Sequence, residues 1–118
     1  MTIRDDDALS PGDLILVDLS PIRGSEQDGR RPVLVVSVEN VHRLTKRAII
    51  CPITSNVDPW PSKVILPPGL ASKGAVLTDQ IRAIDRKERI LRRLGAVPPG
   101  VLTEAKDQIA ILLDLRND

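Results

Sequence analysis

The chain contains no phenylalanine and no tyrosine, and Trp60 is its only tryptophan. With so few rings, the core of this 118-residue chain must be assembled from Leu, Ile and Val. Cys51 is the only cysteine, which excludes an internal disulfide and a cysteine-built metal site. It lies in the apolar run AIICPI, so a buried and inert thiol is expected. His42 is the only histidine, and no carboxylates recur at ligand spacing. Little there would hold zinc, so neither a metal nor a cofactor is expected, and the two-histidine acid–base pair of some nucleases is excluded. No apolar stretch approaches the ~20 residues of a membrane span, and the N-terminal residues show no signal-peptide pattern. A soluble, cytoplasmic protein with no membrane partner is expected. The formal net charge of +1 points to no particular partner. Neither a phosphate-cradling Gly-rich loop before a helix nor a nucleophile elbow is present.

What the chain does contain is short aliphatic runs, broken up by ten prolines and seven glycines. That pattern suits many short elements joined by turns, not a helical bundle. A polar lead-in over residues 1–11 is expected to fray. Strands are expected over 14–19 (LILVDL), 33–38 (VLVVSV), 47–53 (RAIICPI), 63–66 (KVIL) and 74–84 (GAVLTDQIRAI). Gly24 and Gly29 read as hinges of a wide hairpin loop, and residues 39–46 as a polar surface connection carrying His42. Asp85 and Glu88 have the spacing of a capping box, which predicts one helical turn and then a strand near 90–94. Pro98-Pro99 opens the one clear helix, 99–114, with Val101, Leu102, Ala105, Ile109, Leu112 and Leu113 as its apolar stripe. The expected architecture is mainly β with α. A single domain over 12–116 forms a small, strongly bent antiparallel barrel, with the amphipathic C-terminal helix covering one side.

Polar chemistry is concentrated in residues 23–36, RGSEQDGRRPVLVV. Ser25, Glu26, Gln27 and Asp28 lie between two glycines, and Arg30, Arg31 and Pro32 lead into an apolar strand. Reactive groups on a loop anchored to a rigid element make a site, although a solvated hairpin loop has the same composition. Residues 82–93 carry six cations (Arg82, Arg86, Lys87, Arg89, Arg92, Arg93) against Asp85 and Glu88. Such a patch suits a polyanion or a solvated face. Guanidinium, hydroxyl and amide groups without a metal suit the transesterification of RNA. There the substrate's own 2′-hydroxyl is the nucleophile, and the protein positions the backbone, neutralises charge and helps move protons.

Read in order, PGDLILVDLSPIRGSEQDGRRPVLVVS, CPITS, LTDQIRAID and a helix after PPGVL resemble the MazF/PemK family of toxin–antitoxin ribonucleases, from about Gly12 to Leu115. The resemblance implies an SH3-like barrel of the CcdB/MazF type working as a homodimer. It also implies metal-independent cleavage of single-stranded RNA, and a cognate antitoxin protein whose tail occupies the RNA groove. By it, Arg31 and Thr54 match the catalytic pair, with Arg31 stabilising the phosphate and a candidate proton donor to the leaving oxygen, and Thr54 holding the phosphate. Ser25, Glu26 and Gln27 match the loop beside the RNA channel, and Glu26 is the nearby carboxylate able to act as a base. Arg23, Arg30 and Ser55 flank these positions and are counted with Ser25 and Gln27 as RNA-binding. Gln80 and Arg82 match a strand facing substrate or the dimer partner. Trp60, between two prolines, reads first as packing on its own loop or on a partner, and second as stacking on a flipped base.

Two other functions share such a barrel: a gyrase poison acting through its C-terminal residues, and an inactive module that sequesters antitoxin. The C-terminus DLRND is charged and lacks an aromatic ending, and the Arg31–Thr54 pair is intact, so the nuclease is favoured.

Overall fold

The computed structural model describes residues 8–19 and 29–115. Its first hairpin joins β1 (Asp13–Asp18) to β2 (Arg30–Val35), which then leads to helix α1 (Glu39–Thr45) and the long strand β3 (Arg47–Thr54). The short strands β4 (Lys63–Ile65) and β5 (Ala75–Leu77) follow. A 3-10 turn at Thr78–Gln80 leads into β6 (Arg82–Asp85), helix α2 (Arg86–Arg89), β7 (Ile90–Ala96) and helix α3 (Pro99–Leu112). All pairings are antiparallel, in the order β4-β5-β3-β2-β1-β7, with β6 also on β3. Among the described residues no ladder joins β7 to β4 or β6, so the bent sheet stays open where closure was expected.

Strand alternation divides the core in two. Ile15, Val17, Val33, Val35, Ala48, Ile50, Ile84 and Ile90 pack together with Leu9. The alternate positions Leu14, Leu34, Cys51 and Ile53 pack with Val64, Val76 and the α3 residues Val101, Ala105 and Ile109. The aliphatic core expected from the missing rings is thus built on both faces of the same strands.

Pro52 explains the most consequential departure from the expected strands. In this ladder its nitrogen faces the edge that β3 shares with β6, and it has no N–H to donate. Pairing with β6 stops at Ile50, and pairing with β5 begins at Ile53. The two registers differ by three residues, and the turn Thr78–Gln80 takes up that slack. The single strand expected over 74–84 is therefore two strands with a turn between them. Strand β2 also lies earlier than expected, because Arg30 and Arg31 pair with Asp18 and Val17 of β1.

Residues 39–46 are a second departure. They form α1, and His42 is 1 % exposed, not a surface residue. Its Nδ1 donates to the Leu9 carbonyl at 2.7 Å, and Nε2 is hydrogen-bonded to the Ser37 hydroxyl at 2.5 Å. The Ser37 oxygen accepts in turn from the Ile49 N–H at 2.8 Å. This network ties α1 and β3 to residues 8–11, which were expected to fray; Leu9 is buried and Ser10 N–H donates to Asp13.

The expected cap is present, with Asp85 Oδ1 accepting from Glu88 N–H at 2.9 Å to start α2. Helix α3 begins at Pro99 as expected but ends at Leu112. Its stripe is buried only at Val101, Ala105 and Ile109, while Leu112 and Leu113 are exposed together with Ile111 and Leu115.

Candidate active site

The β2–β3 ladder is recorded at Val33–Pro52, Leu34–Cys51 and Val35–Ile50. Extending that register by two residues brings Arg31 level with Thr54. The alternation that points Val33, Val35 and Ile50 to one face sends Arg31 and Thr54 to the same face. Pro32 opens the end of this ladder. Its nitrogen faces β3 and offers no donor, so β2 and β3 lose a rung just before the two residues. Arg31 is exposed and Thr54 half-buried, which leaves both within reach of solvent.

Thr54 is held from two sides. Its Oγ1 accepts from the Asn56 N–H at 3.1 Å, which fixes the oxygen and leaves the hydroxyl proton to be donated outward. Behind it, Gly74 approaches the Thr54 backbone so closely that a Cβ on Gly74 would stand 1.9 Å from the Thr54 carbonyl oxygen. Gly74 also has φ +118°, a conformation that glycine adopts and side-chain-bearing residues avoid. The reading of the sequence missed Gly74, although a glycine just before an apolar strand was a visible signal for close backbone approach.

Arg82 pairs with Ile50 and is exposed, on the same sheet face as Arg31 and Thr54 by alternation. Gln80 lies in the 3-10 turn, not on a strand, and lines a cleft with Asn56 and Trp60. Arg30 lies opposite Asp18 in the β1–β2 ladder, and Ser55 is exposed just after β3. Arg23, Ser25, Glu26 and Gln27 lie outside the described residues.

The basic segment 82–93 is not one open patch. Arg93 Nη2 donates to the buried Asp13 at 2.9 Å, and Arg89 donates to the Asp18 carbonyl at 3.3 Å. Arg86 is buried. Arg93 holds β7 to β1 and Arg89 holds α2 to β1, and only Arg82, Lys87 and Arg92 of the six are both exposed and outside these contacts.

Cys51 is buried as expected. Burial, reinforced by the negative charge of Asp79, pushes its thiol up to about 12 from the usual 9.0, so it offers no thiolate near neutral pH. Among the described residues no group of three or more His, Cys, Asp or Glu gathers to hold a metal ion. No helix among them is long and apolar enough to cross a membrane.

An open antiparallel sheet with few helices, in this strand order, is the framework of a small toxin of the MazF type. The chain belongs to the PemK-like, MazF-like toxins of type II toxin–antitoxin systems, whose family model matches residues 10–113. It is 35 % identical over 102 residues to the endoribonuclease toxin MazF of Escherichia coli K12, covering 86 % of this chain and 91 % of that one. It is 31 % identical over 115 residues to the endoribonuclease PemK of Escherichia coli, covering 94 % and 86 %. Its fold matches MazF in a MazE–MazF crystal structure from Deinococcus radiodurans with TM-score 0.84 and 33 % identity, over 94 % of this chain and all (100 %) of that one.

Proposed function

We propose that this chain, an endoribonuclease toxin of the MazF/PemK type, cuts single-stranded RNA without a metal, in the cytoplasm, through Arg31 and Thr54. The 2′-hydroxyl attacks the adjacent phosphorus while the bond to the 5′-oxygen of the next nucleotide breaks. A 2′,3′-cyclic phosphate and a 5′-hydroxyl result. The proton lost from the 2′-oxygen passes to Glu26, and the departing 5′-oxygen takes its proton from Arg31, which regains one from water. Charge accumulates on the nonbridging oxygens in the transition state. The Arg31 guanidinium meets that charge with two parallel hydrogen bonds. The Thr54 hydroxyl donates to a nonbridging oxygen, and its own oxygen is already held by Asn56 N–H, so little reorganisation is needed.

The observation that supports this function is the β2–β3 register, recorded as far as Val33–Pro52, whose extension by two residues puts Arg31 opposite Thr54 on one sheet face. Arg82 on that face supplies further positive charge for the RNA backbone. Arg23, Ser25, Gln27, Arg30, Ser55 and Gln80 complete the proposed contacts. The toxin is held by a cognate antitoxin, as the Deinococcus radiodurans relative is by MazE. It works as a homodimer, for which the exposed Ile111, Leu112, Leu113 and Leu115 at the end of α3 offer apolar surface.

The test is incubation of a long RNA with the protein in EDTA. Cleavage should survive chelation, leave cyclic phosphate ends, and stop where the attacking nucleotide is 2′-deoxy. Intact RNA, or cleavage only after a divalent ion is added back, would overturn the proposal.

A further inference from the structure

The segment between β3 and β4 leaves Thr54 and returns at Lys63, with Trp60 near its far end. It is firmly built. Asp58 N–H donates to Asn56 Oδ1 at 2.8 Å, and Lys63 N–H donates to the Trp60 carbonyl at 3.0 Å. The Lys63 ammonium donates to the Asn56 and Asp58 carbonyls at 2.8 and 2.9 Å. Pro59 and Pro61 fix the backbone on either side of Trp60. The indole Nε1–H donates to Asp79 Oδ2 at 3.1 Å, which ties the ring to the 3-10 turn. Yet Trp60 is 60 % exposed. Its one polar atom is satisfied inside the protein, so what it shows to water is mainly apolar ring. A rigid loop that holds a tryptophan outward in this way presents a stacking surface.

The ring lines two clefts. One, of about 340 Å³, is lined by Asn56, Asp58, Lys63, Leu77, Asp79 and Gln80. The other, of about 460 Å³, is bordered by Val57, Pro59, Pro61 and Ile65. The first cleft sets two carboxylates against one ammonium, and that ammonium already serves two carbonyls. It therefore disfavours a phosphate and suits the donor-bearing edge of a nucleobase. The Gln80 amide can read that edge by accepting and donating.

We propose that Trp60 is a base-stacking, specificity-setting residue. A nucleobase next to the scissile phosphate lies on the indole, and Gln80 and Asp79 face its hydrogen-bonding edge. This rests on the nuclease function above and extends it from cleavage to sequence choice. The chain itself links the two, since the loop begins at the residue that holds the phosphate. Asp79 has a positioning part, because its bond to Nε1 sets the plane of the ring.

Trp60 is the only aromatic side chain of the Phe, Tyr and Trp types, so the intrinsic emission of the full-length protein reports on it alone. The probe is a pool of 2′-O-methyl RNA 12-mers, which bind but lack the attacking hydroxyl. Titration should quench the emission. With cleavable RNA, Trp60→Ala should raise KM by about 5- to 150-fold, the equivalent of 1–3 kcal/mol for one stacked base, with kcat little changed. Trp60→Phe, which keeps a ring, should recover most of the affinity, and Gln80→Ala should broaden the set of sites cut. Unchanged emission at saturating RNA, with an unchanged KM in Trp60→Ala, would sink the stacking role and leave the nuclease standing. An emission change with a peptide of the cognate antitoxin but none with RNA would assign the ring to a protein partner and overturn the proposal. If the native protein neither bound nor cut RNA, the nuclease function itself would fall.

Discussion

Two regions of this chain carry most of its arginine chemistry, and they use it in opposite ways. Residues 82–93 hold six cations, yet Arg93 is paired with a buried aspartate, Arg89 is bonded to a backbone carbonyl, and Arg86 is buried. Strand β2 holds only Arg30 and Arg31, but Arg31 stands exposed at the open end of a ladder, level with an anchored hydroxyl. Charge density marks the first region and local geometry marks the second. A guanidinium that braces the fold is no longer available for a substrate, whereas one at a gap in a sheet has no such duty.

The largest expected effect separates the two directly. Arg31→Ala should lower kcat by roughly 10²–10³-fold, the loss of one strong donor to a transition-state oxyanion. Its stability should stay within about 0.5 kcal/mol of native. Arg93→Ala should do the reverse, lowering stability by about 1–2 kcal/mol while cleavage below the melting range is retained. Urea unfolding and single-turnover cleavage of both variants would settle it. An Arg93→Ala protein that is stable but inactive would break the comparison.

Gly74→Ala should sharpen it from the hydroxyl side. A Cβ 1.9 Å from the Thr54 carbonyl oxygen, at φ +118°, forces the Thr54 peptide to move. A stability loss of about 2–3 kcal/mol is expected. The surviving folded fraction should also cut more slowly per molecule. Native kcat in that fraction would show that Thr54 is not positioned from behind.

A smaller effect tests the exposed member of the basic segment. If Arg82 meets a phosphate, Arg82→Ala should flatten the dependence of log K on log salt by about 0.7 for a single strand. Arg93→Ala should leave that slope unchanged. Equal slopes in both variants would return Arg82 to the solvated face.

The smallest effect concerns pH. Folding holds the Cys51 proton more tightly than the unfolded chain does, with the folded value about 12 against the usual 9.0. The stability contributed is therefore complete below pH 9, declines as pH rises above it, and is lost by about pH 12. A Cys51→Ala variant should show a flatter fall over that window. Alkylation of native protein at neutral pH should be slow unless denaturant is added. Rapid labelling would mean the thiol is not enclosed.

Local features were legible wherever neighbours in sequence decide the outcome. The aliphatic β3, the Asp85 cap of α2 and the proline start of α3 follow from patterns a few residues long. So did the motifs that carry the family. Helix α1 was hidden because its one buried polar residue, His42, is satisfied by Leu9 and Ser37, and only the folded chain brings Leu9 within reach. The break between β5 and β6 was hidden for a related reason. It answers to a proline on another strand, more than twenty residues earlier in the chain.

Sequence alone determined an aliphatic core, the exclusion of an internal disulfide, the order of short strands before a final helix, and membership of a toxin family. These depend on composition and on short-range pattern. Tertiary structure alone decided which arginines are bound into the fold and which remain open, and it set the β2–β3 register whose extension puts Arg31 opposite Thr54. Those outcomes depend on pairing between distant strands, and a register is set by the whole sheet at once, not by the residues that end up facing each other.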